Sequence, residues 1–444
     1  MIGSSLRRRL NAHDREILRL AVPAFGALIA EPLFLLSDSA IVGHLGTAQL
    51  GGLGVAGQAL STLVNLCVFL AYGTTAGVAR QVGAGDLPSA VRQGIDGMWL
   101  AVVIGAVLIL AGWPLTPWLV DAFGASASVA PYAETYLRVS LFGIPGMLVI
   151  LAGTGVLRGL QDTRTPLLVS IGSFALNLVL NLLFVLGFGW GIAGSAWGTV
   201  LAQTGGAAVY VAVVLRAARR HGAPVRPDAA GLRTSATAGV NLLLRTAALR
   251  VVLIVGTSLA ARMGDGEIAA YQVGFQVWTL LAFALDALAI AGQAITGRHL
   301  GAADAAGARA VTRRMVGWGV ACGVLFAVAV FAMRPWLPGL FTSDGQVRDL
   351  LLASLIIVAV LQPVAGVVFV LDGILIGAGD GAYLAVTTLV ATLVYLPVAL
   401  LVYAGGGGLA GLWLAIGLWM LTRMVTLGLR ARGDAWLVTG AVRR

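Results

Sequence analysis

The chain has 444 residues, of which 59% are hydrophobic and 11% charged, with a mean hydropathy of +0.93. A soluble domain carries about 45–50% apolar and about 25% charged residues, so a water-soluble enzyme is excluded. The net charge is +10 and all 29 basic residues are arginine, but they fall in short connections and not on one soluble face, which argues against a nucleic-acid partner.

The chain opens on a basic stretch, Arg7 to Arg9, then Asp14, Glu16 and Arg19, with no small-residue cleavage site after the first apolar run. It reads as a retained, cytoplasmic, amphipathic lead-in. Continuous apolar runs near the ~20 residues that cross a bilayer then recur, without the period-two alternation of a barrel. Bounded by Gly, Pro and charge, they fall at about 17–42, 50–79, 92–112, 131–158, 163–188 and 192–216, then about 235–262, 268–297, 309–331, 348–377, 381–403 and 409–430. The expected fold is therefore an all-α integral membrane protein with twelve transmembrane helices. Alternate assignment of the connections gathers most arginines on the side of the N-terminus, so both termini are expected to be cytoplasmic. Cys67 and Cys322 lie far apart in apolar runs and make neither a disulfide framework nor a metal cluster.

The polar connection near 216–233 divides the chain into an N-terminal six-helix bundle, 1–216, a cytoplasmic linker, 217–234, and a C-terminal six-helix bundle, 235–444. The halves align at a fixed offset of 218: Gln58 with Gln276, RQVGAGD at Arg80 to Asp86 with RHLGAAD at Arg298 to Asp304, Pro117-Trp118 with Pro335-Trp336, Pro145 with Pro363, and Asp162 with Asp380. Because the offset spans an even number of helices, the bundles should be related by a pseudo-two-fold axis along the membrane normal. Paired bundles that rock by alternating access make transport the leading reading.

An ionisable side chain within a span costs about 2.5–3.5 kcal/mol on insertion scales, so each is a functional candidate. These are Glu31 and Asp38 in the first span, Arg245 and Arg250 in the seventh, Asp286 in the eighth and Asp372 in the tenth; Asp96 and Arg423 sit close enough to helix ends to be set aside. Asp38 aligns with Gly256, so its carboxylate is an asymmetric addition to a repeated scaffold. Asn177 and Asn181 share one face of the fifth span, Ser195 and Thr199 one face of the sixth, and all lie near the depth of Asp38. Together they can form a polar pocket in which one carboxylate among neutral oxygens takes up a proton and releases it when the pocket changes. A single formal charge makes a poor Na⁺ site, so H⁺ is the expected coupling ion. The alternative for the amides and Thr199 is that they only hold helices together. Glu31, two turns from Asp38, either lines the same route or pairs with Arg250. Arg245 and Asp286, at matching depths, read as an ion pair, with a substrate contact as the alternative; Asp372 is given no role. Pro23 and Pro32 interrupt the first span and permit a bend.

PLFLLSDSAIVGHLG, the helix ends AGVARQVGAGD and AITGRHLGAAD, GVLRGLQDTRTPL and FVLDGILIGAGD, in this order across two six-helix halves, resemble the MATE multidrug and toxic compound exporters, specifically the DinF-like branch. The resemblance implies a secondary active antiporter that exports organic, cationic or amphipathic compounds in exchange for protons, with no cofactor. It implies Asp38 as coupling residue, Pro23 as the bend of the first helix, and an N-lobe cation site at Asn177, Asn181 and Thr199, where Asn181 replaces an acid and weakens any case for Na⁺. The expected setting is a bacterial inner (plasma) membrane, with small organic substrates and the lipid bilayer as partners and a monomer as assembly. The competing readings are a flippase for lipids or amphiphiles and an Na⁺-coupled exporter of the same fold. A membrane enzyme would need clustered carboxylates, HExxH or GxSxG, and none is present; a channel would need a filter loop or a ring of charge.

Overall fold

A computed structural model describes residues 12–442, apart from the side chains of Ala12 and Glu31. The basic stretch Arg7 to Arg9 and the Glu31 side chain thus lie outside the described residues. All regular structure among the described residues is helical, and twelve spans follow in chain order. They are α1 (Ala12–Gly43), α2 (Thr47–Gly83), α3 (Leu87–Ala122), α4 (Ala130–Leu141 with Ile144–Gly159), α5 (Arg164–Gly187), α6 (Gly191–His221), α7 (Ala229–Met263), α8 (Asp265–Gly301), α9 (Ala305–Met333), α10 (Gly345–Gly377), α11 (Gly381–Ala404) and α12 (Gly408–Arg432). Eleven are unbroken, and α4 is bent by 52° between its two parts. The bend falls at Phe142 and Gly143 just before Pro145, which has no N–H to continue the ladder. Its repeat partner Pro363 sits inside an uninterrupted α10. Similarly, α3 runs through Pro114 and Pro117, whereas α9 stops at Met333 ahead of Pro335 and a short turn, Leu337–Phe341. α1 remains helical through Pro23 and Pro32.

The internal repeat extends to backbone detail. Gly46 and Gly264 both precede the second helix of their half with positive φ, 138° and 155°. Gly85 (φ 78°) matches Ala303 (φ 59°), and Gln161 (φ 66°) matches Gly379 (φ 71°), each closing a helix by a left-handed turn. Asp86 and Asp304 then cap the next helix, accepting the backbone N–H of Ser89 at 3.0 Å and of Gly307 at 2.8 Å. Those two bonds, with the neighbouring Ser89 hydroxyl and the His299 ring respectively, hold both carboxyls below the usual aspartate range.

Helices in lipid gain little from apolar burial against one another, so close approach of backbones matters. A Cβ placed on Gly155 would stand 2.5 Å from the Ala71 carbonyl oxygen, and one on Gly373 2.3 Å from that of Ala289. Gly377 faces the Gln293 carbonyl at 2.2 Å in the same sense, as Gly159 faces Thr75 at 3.0 Å. These G-x-x-x-G pairs seat α4 on α2 and α10 on α8, and the two helices are the centres of their bundles.

By contacts the chain falls into two units, one of Val22–Leu243 and one of the described residues up to Ala21 with everything from Leu244 onward. The divisions fall inside α1 and α7. In the second of these units the buried carboxylate of Asp14 takes Arg314 at 2.6 and 2.7 Å and the Trp318 indole N–H at 2.8 Å, while Glu16 pairs with Arg298 at 2.7 Å. The chain end folds back there as well: Trp436 is fully buried and the Gly440 N–H reaches the Leu300 carbonyl.

Candidate functional site

In the Val22–Leu243 unit, Asp38 lies in the last turns of α1 and is buried, 1% exposed. Asn177 and Asn181 close the regular part of α5, and a wider π turn, Leu182–Gly187, follows immediately. Such turns are uncommon and recur at functional sites. Gly198 on α6 allows the backbones of α5 and α6 to approach, since a Cβ there would sit 3.0 Å from Asn181 Oδ1. That approach brings Thr199 into the same pocket.

The hydrogen bonds form one chain. Asn181 Nδ2 donates to Asp38 Oδ1, and the Thr199 hydroxyl donates to Asp38 Oδ2 at 3.3 Å. Asn181 Nδ2 also donates to Asn177 Oδ1 at 3.1 Å, and Asn177 Nδ2 donates to the Thr199 oxygen at 3.1 Å. Four side chains from α1, α5 and α6 are thus coupled, and each carboxylate oxygen has a donor. Tyr136 on α4, 4% exposed, brings its hydroxyl in among Thr199, Ser140 and Ser195. Three buried oxygens around the pocket, Asn181 Oδ1 and the hydroxyls of Ser195 and Ser140, make no hydrogen bond of good geometry. Buried polar atoms left so are rare.

The corresponding place in the other unit is built differently. Gly256 stands where Asp38 would be, and a Cβ on it would lie 2.5 Å from the Tyr271 hydroxyl and 3.2 Å from that of Tyr395. Tyr395 takes the position of Asn177 and Trp413 that of Ser195, so aromatic bulk replaces the carboxylate pocket; Tyr271 and Trp413 pack at 5.6 Å. The charges of this unit meet elsewhere. Arg245 grips Asp372 through Nη2 and, at 3.3 Å, through Nε, and Arg423 reaches the same carboxylate at 3.2 Å. Arg423 also lies over the Trp419 ring at 5.1 Å and is attracted electrostatically by Asp286.

Asp38, Asn177, Asn181 and Thr199 are therefore brought together, with Ser195 one helical turn from Thr199. Pro23 is remote along α1, two residues past the point where the units divide. Two charges set aside in the sequence as lying near helix ends are in fact interior, Asp96 at 4% and Arg423 at 6% exposure. Asp372 and Arg423 had no shared local signal, because the contact joins α10 to α12. No group of three or more His, Cys, Asp or Glu side chains gathers among the described residues.

A family model described as MatE matches residues 23–183 and 242–401. The chain is 31% identical over 428 residues to Protein DETOXIFICATION 44, chloroplastic, of Arabidopsis thaliana, covering 92% of this chain and 80% of that one. It is 29% identical to the DNA damage-inducible protein F of Escherichia coli K12, covering 83% and 82%, and 25% identical to a probable multidrug resistance protein NorM of Thermotoga maritima, covering 82% and 80%. Among solved structures, MATE in its bent conformation superposes with a TM-score of 0.86 at 21% identity, covering 95% of both chains. A transporter of the MOP superfamily from Pyrococcus furiosus, described as having a binding pocket of reverse polarity, gives 0.83, also at 21% identity, covering 94% of both.

Proposed function

The chain belongs to the MatE family, a multi-pass membrane transporter and not an enzyme, and from that membership we propose that it is an antiporter that exports organic, cationic or amphipathic compounds in exchange for protons, with Asp38 as the coupling group. The observation that carries the reading is the buried Asp38 carboxylate, held by Asn181 and Thr199 beside an unpartnered Asn181 Oδ1. Ionised, Asp38 accepts from both neighbours. Protonated, it has an O–H to donate, and rotation of the Asn181 amide presents Oδ1 in place of Nδ2 as the acceptor. Proton uptake thus rearranges one amide at the junction of α1, α5 and α6. A hydrogen bond to a charged group contributes about 1.5–3 kcal/mol, and a proton gradient supplies about 1.4 kcal/mol per pH unit. A gradient of one to two units therefore suffices to drive the pocket between its two arrangements.

Export of varied organic compounds is supported by relatives described as multidrug resistance and detoxification proteins. The arginine-rich connections support cytoplasmic termini, and the bacterial relatives support an inner membrane, although the plant relative DETOXIFICATION 44 is chloroplastic. We take the monomer as the working unit. An Na⁺-coupled reading draws on the same oxygens, with Asn181 Oδ1 free to coordinate, but only one formal charge is present to offset the cation. The experiment is to add tetraphenylphosphonium, a hydrophobic organic cation, to purified protein in weakly buffered detergent and follow pH. Release of about one proton per protein, lost in Asp38→Asn, is expected; unchanged release in the variant, or release only when Na⁺ replaces the organic cation, contradicts the reading.

A further inference from the structure

A groove of about 340 Å³ runs along the Val22–Leu243 unit over α3, α4 and α6, and the segment joining α6 to α7 closes one end. Its volume lies in the range of small-ligand pockets, about 300–1,000 Å³. Ile95, Met98, Val149 and Val214 form a buried floor, while Trp99, Val211 and Val225 form a rim that is 39%, 37% and 45% exposed. Along α3 the groove spans Ile95 to Val102, about 10 Å at 1.5 Å per residue. None of the Asp38 pocket residues lines it.

The lining selects a hydrocarbon. Its one polar side chain, Trp99, spends its N–H on the Val225 carbonyl at 3.1 Å, so no donor or acceptor is available to orient a polar molecule. The end of the groove is different. Arg226 directly follows the rim residue Val225, and Arg219 lies one helical turn beyond Leu215 on the same face. Both are exposed, and no ion pair to a carboxylate is seen for them among the described residues. Arg92, by contrast, is committed to Asp228 at 2.9 Å. An apolar groove within a membrane span that ends in uncompensated guanidinium groups matches a molecule with a hydrocarbon tail and an anionic head.

We propose that this groove is a binding site for an anionic phospholipid, with one acyl chain on the α3, α4 and α6 floor and the phosphate held by Arg219 and Arg226. The site has a structural consequence. Arg92, Asp96 and Trp99 project from α3 at i, i+4 and i+7 and grip the same connection, through the Asp228 side chain, the Asp228 N–H and the Val225 carbonyl. A chain lying against Trp99 and Val225 completes the packing of the segment that leads into α7, so lipid occupancy stiffens that segment.

The test uses the full-length protein, delipidated in detergent and titrated with phosphatidylglycerol or with phosphatidylcholine of identical acyl chains, with binding read by native mass spectrometry. Wild type is expected to retain phosphatidylglycerol roughly tenfold better. R219Q combined with R226Q should bring the two lipids level, and V214W, which fills the floor, should weaken both. Thermal melting of each variant in detergent separates loss of the site from loss of the fold, and R219Q alone supplies a milder charge change if a variant melts early. Equal retention of the two lipids by wild type, a preference unchanged in the charge variant, or retention of both lipids unchanged in V214W overturns the proposal. Displacement of phosphatidylglycerol by tetraphenylphosphonium as readily as by phosphatidylcholine overturns it too, since the groove would then be a general amphiphile surface.

Discussion

Two buried aspartates in this protein have opposite surroundings, and their substitutions should behave oppositely. Asp372 is met by two guanidinium groups, Arg245 and Arg423, all three side chains being less than 10% exposed. Removing the carboxylate that both arginines share takes a hydrogen-bonded counter-ion from each of two interior cations, and losing one partner of a buried pair costs about 3–5 kcal/mol. Asp38 is met by an amide and a hydroxyl only, and Asp38→Asn leaves neutral groups facing neutral groups. Asp372→Ala is therefore expected to lower thermal stability severely, and Asp38→Asn to leave the melting temperature close to wild type while stopping transport. Thermal unfolding monitored by intrinsic tryptophan fluorescence decides between them; equal melting temperatures for Asp372→Ala and wild type would show that Arg245 and Arg423 are solvated.

At the scale of elements, the repeat gives internal controls. The turn after α2 carries Gly85 and the matching turn after α8 carries Ala303, both left-handed. A side chain in that conformation costs roughly 1 kcal/mol. Ala303→Gly should accordingly raise stability by roughly that amount, and Gly85→Ala should lower it by about as much; a scan in which both substitutions move the melting temperature the same way contradicts this. The caps that follow bear on pH. Asp304 has a folded-state pKa held below its ordinary value of 3.8 by the Gly307 N–H and His299. A depressed carboxyl contributes stability that is fully present above the unfolded value and is lost as pH falls through the lower, folded one. Asp304→Ala should thus destabilise at neutral pH and lose its difference from wild type under strong acid, below the 3.8 of the free side chain. Unfolding curves at neutral and acidic pH test this, and a difference that persists in acid assigns the effect to packing.

At the scale of the whole molecule, what the sequence made legible follows from distance along the chain. The twelve spans could be read because a bilayer demands about 20 apolar residues in succession, a local signal. The meeting of Asp38 with Asn181 and Thr199 was legible because polar groups are scarce in these spans and depth is countable at 1.5 Å per residue. Azimuth is not countable in this way. Depth pointed Arg245 toward Asp286, and the structure also turns it onto Asp372 from another helix, where Arg423 meets the same carboxylate oxygen. The bend in α4 was hidden for a related reason, since Pro145 and Pro363 give the same local reading and only packing decides that one half breaks and the other does not. Asp96 was hidden by the connection into α7, which covers it.

Whether Asp38 couples transport to a proton gradient can be measured in vesicles. Purified protein is reconstituted in vesicles, and movement of a fluorescent organic cation is followed under an imposed pH gradient or an imposed Na⁺ gradient, for wild type and Asp38→Asn. Transport driven by the pH gradient and abolished in the variant is expected. Transport driven by Na⁺ alone, or undiminished in Asp38→Asn, would contradict it.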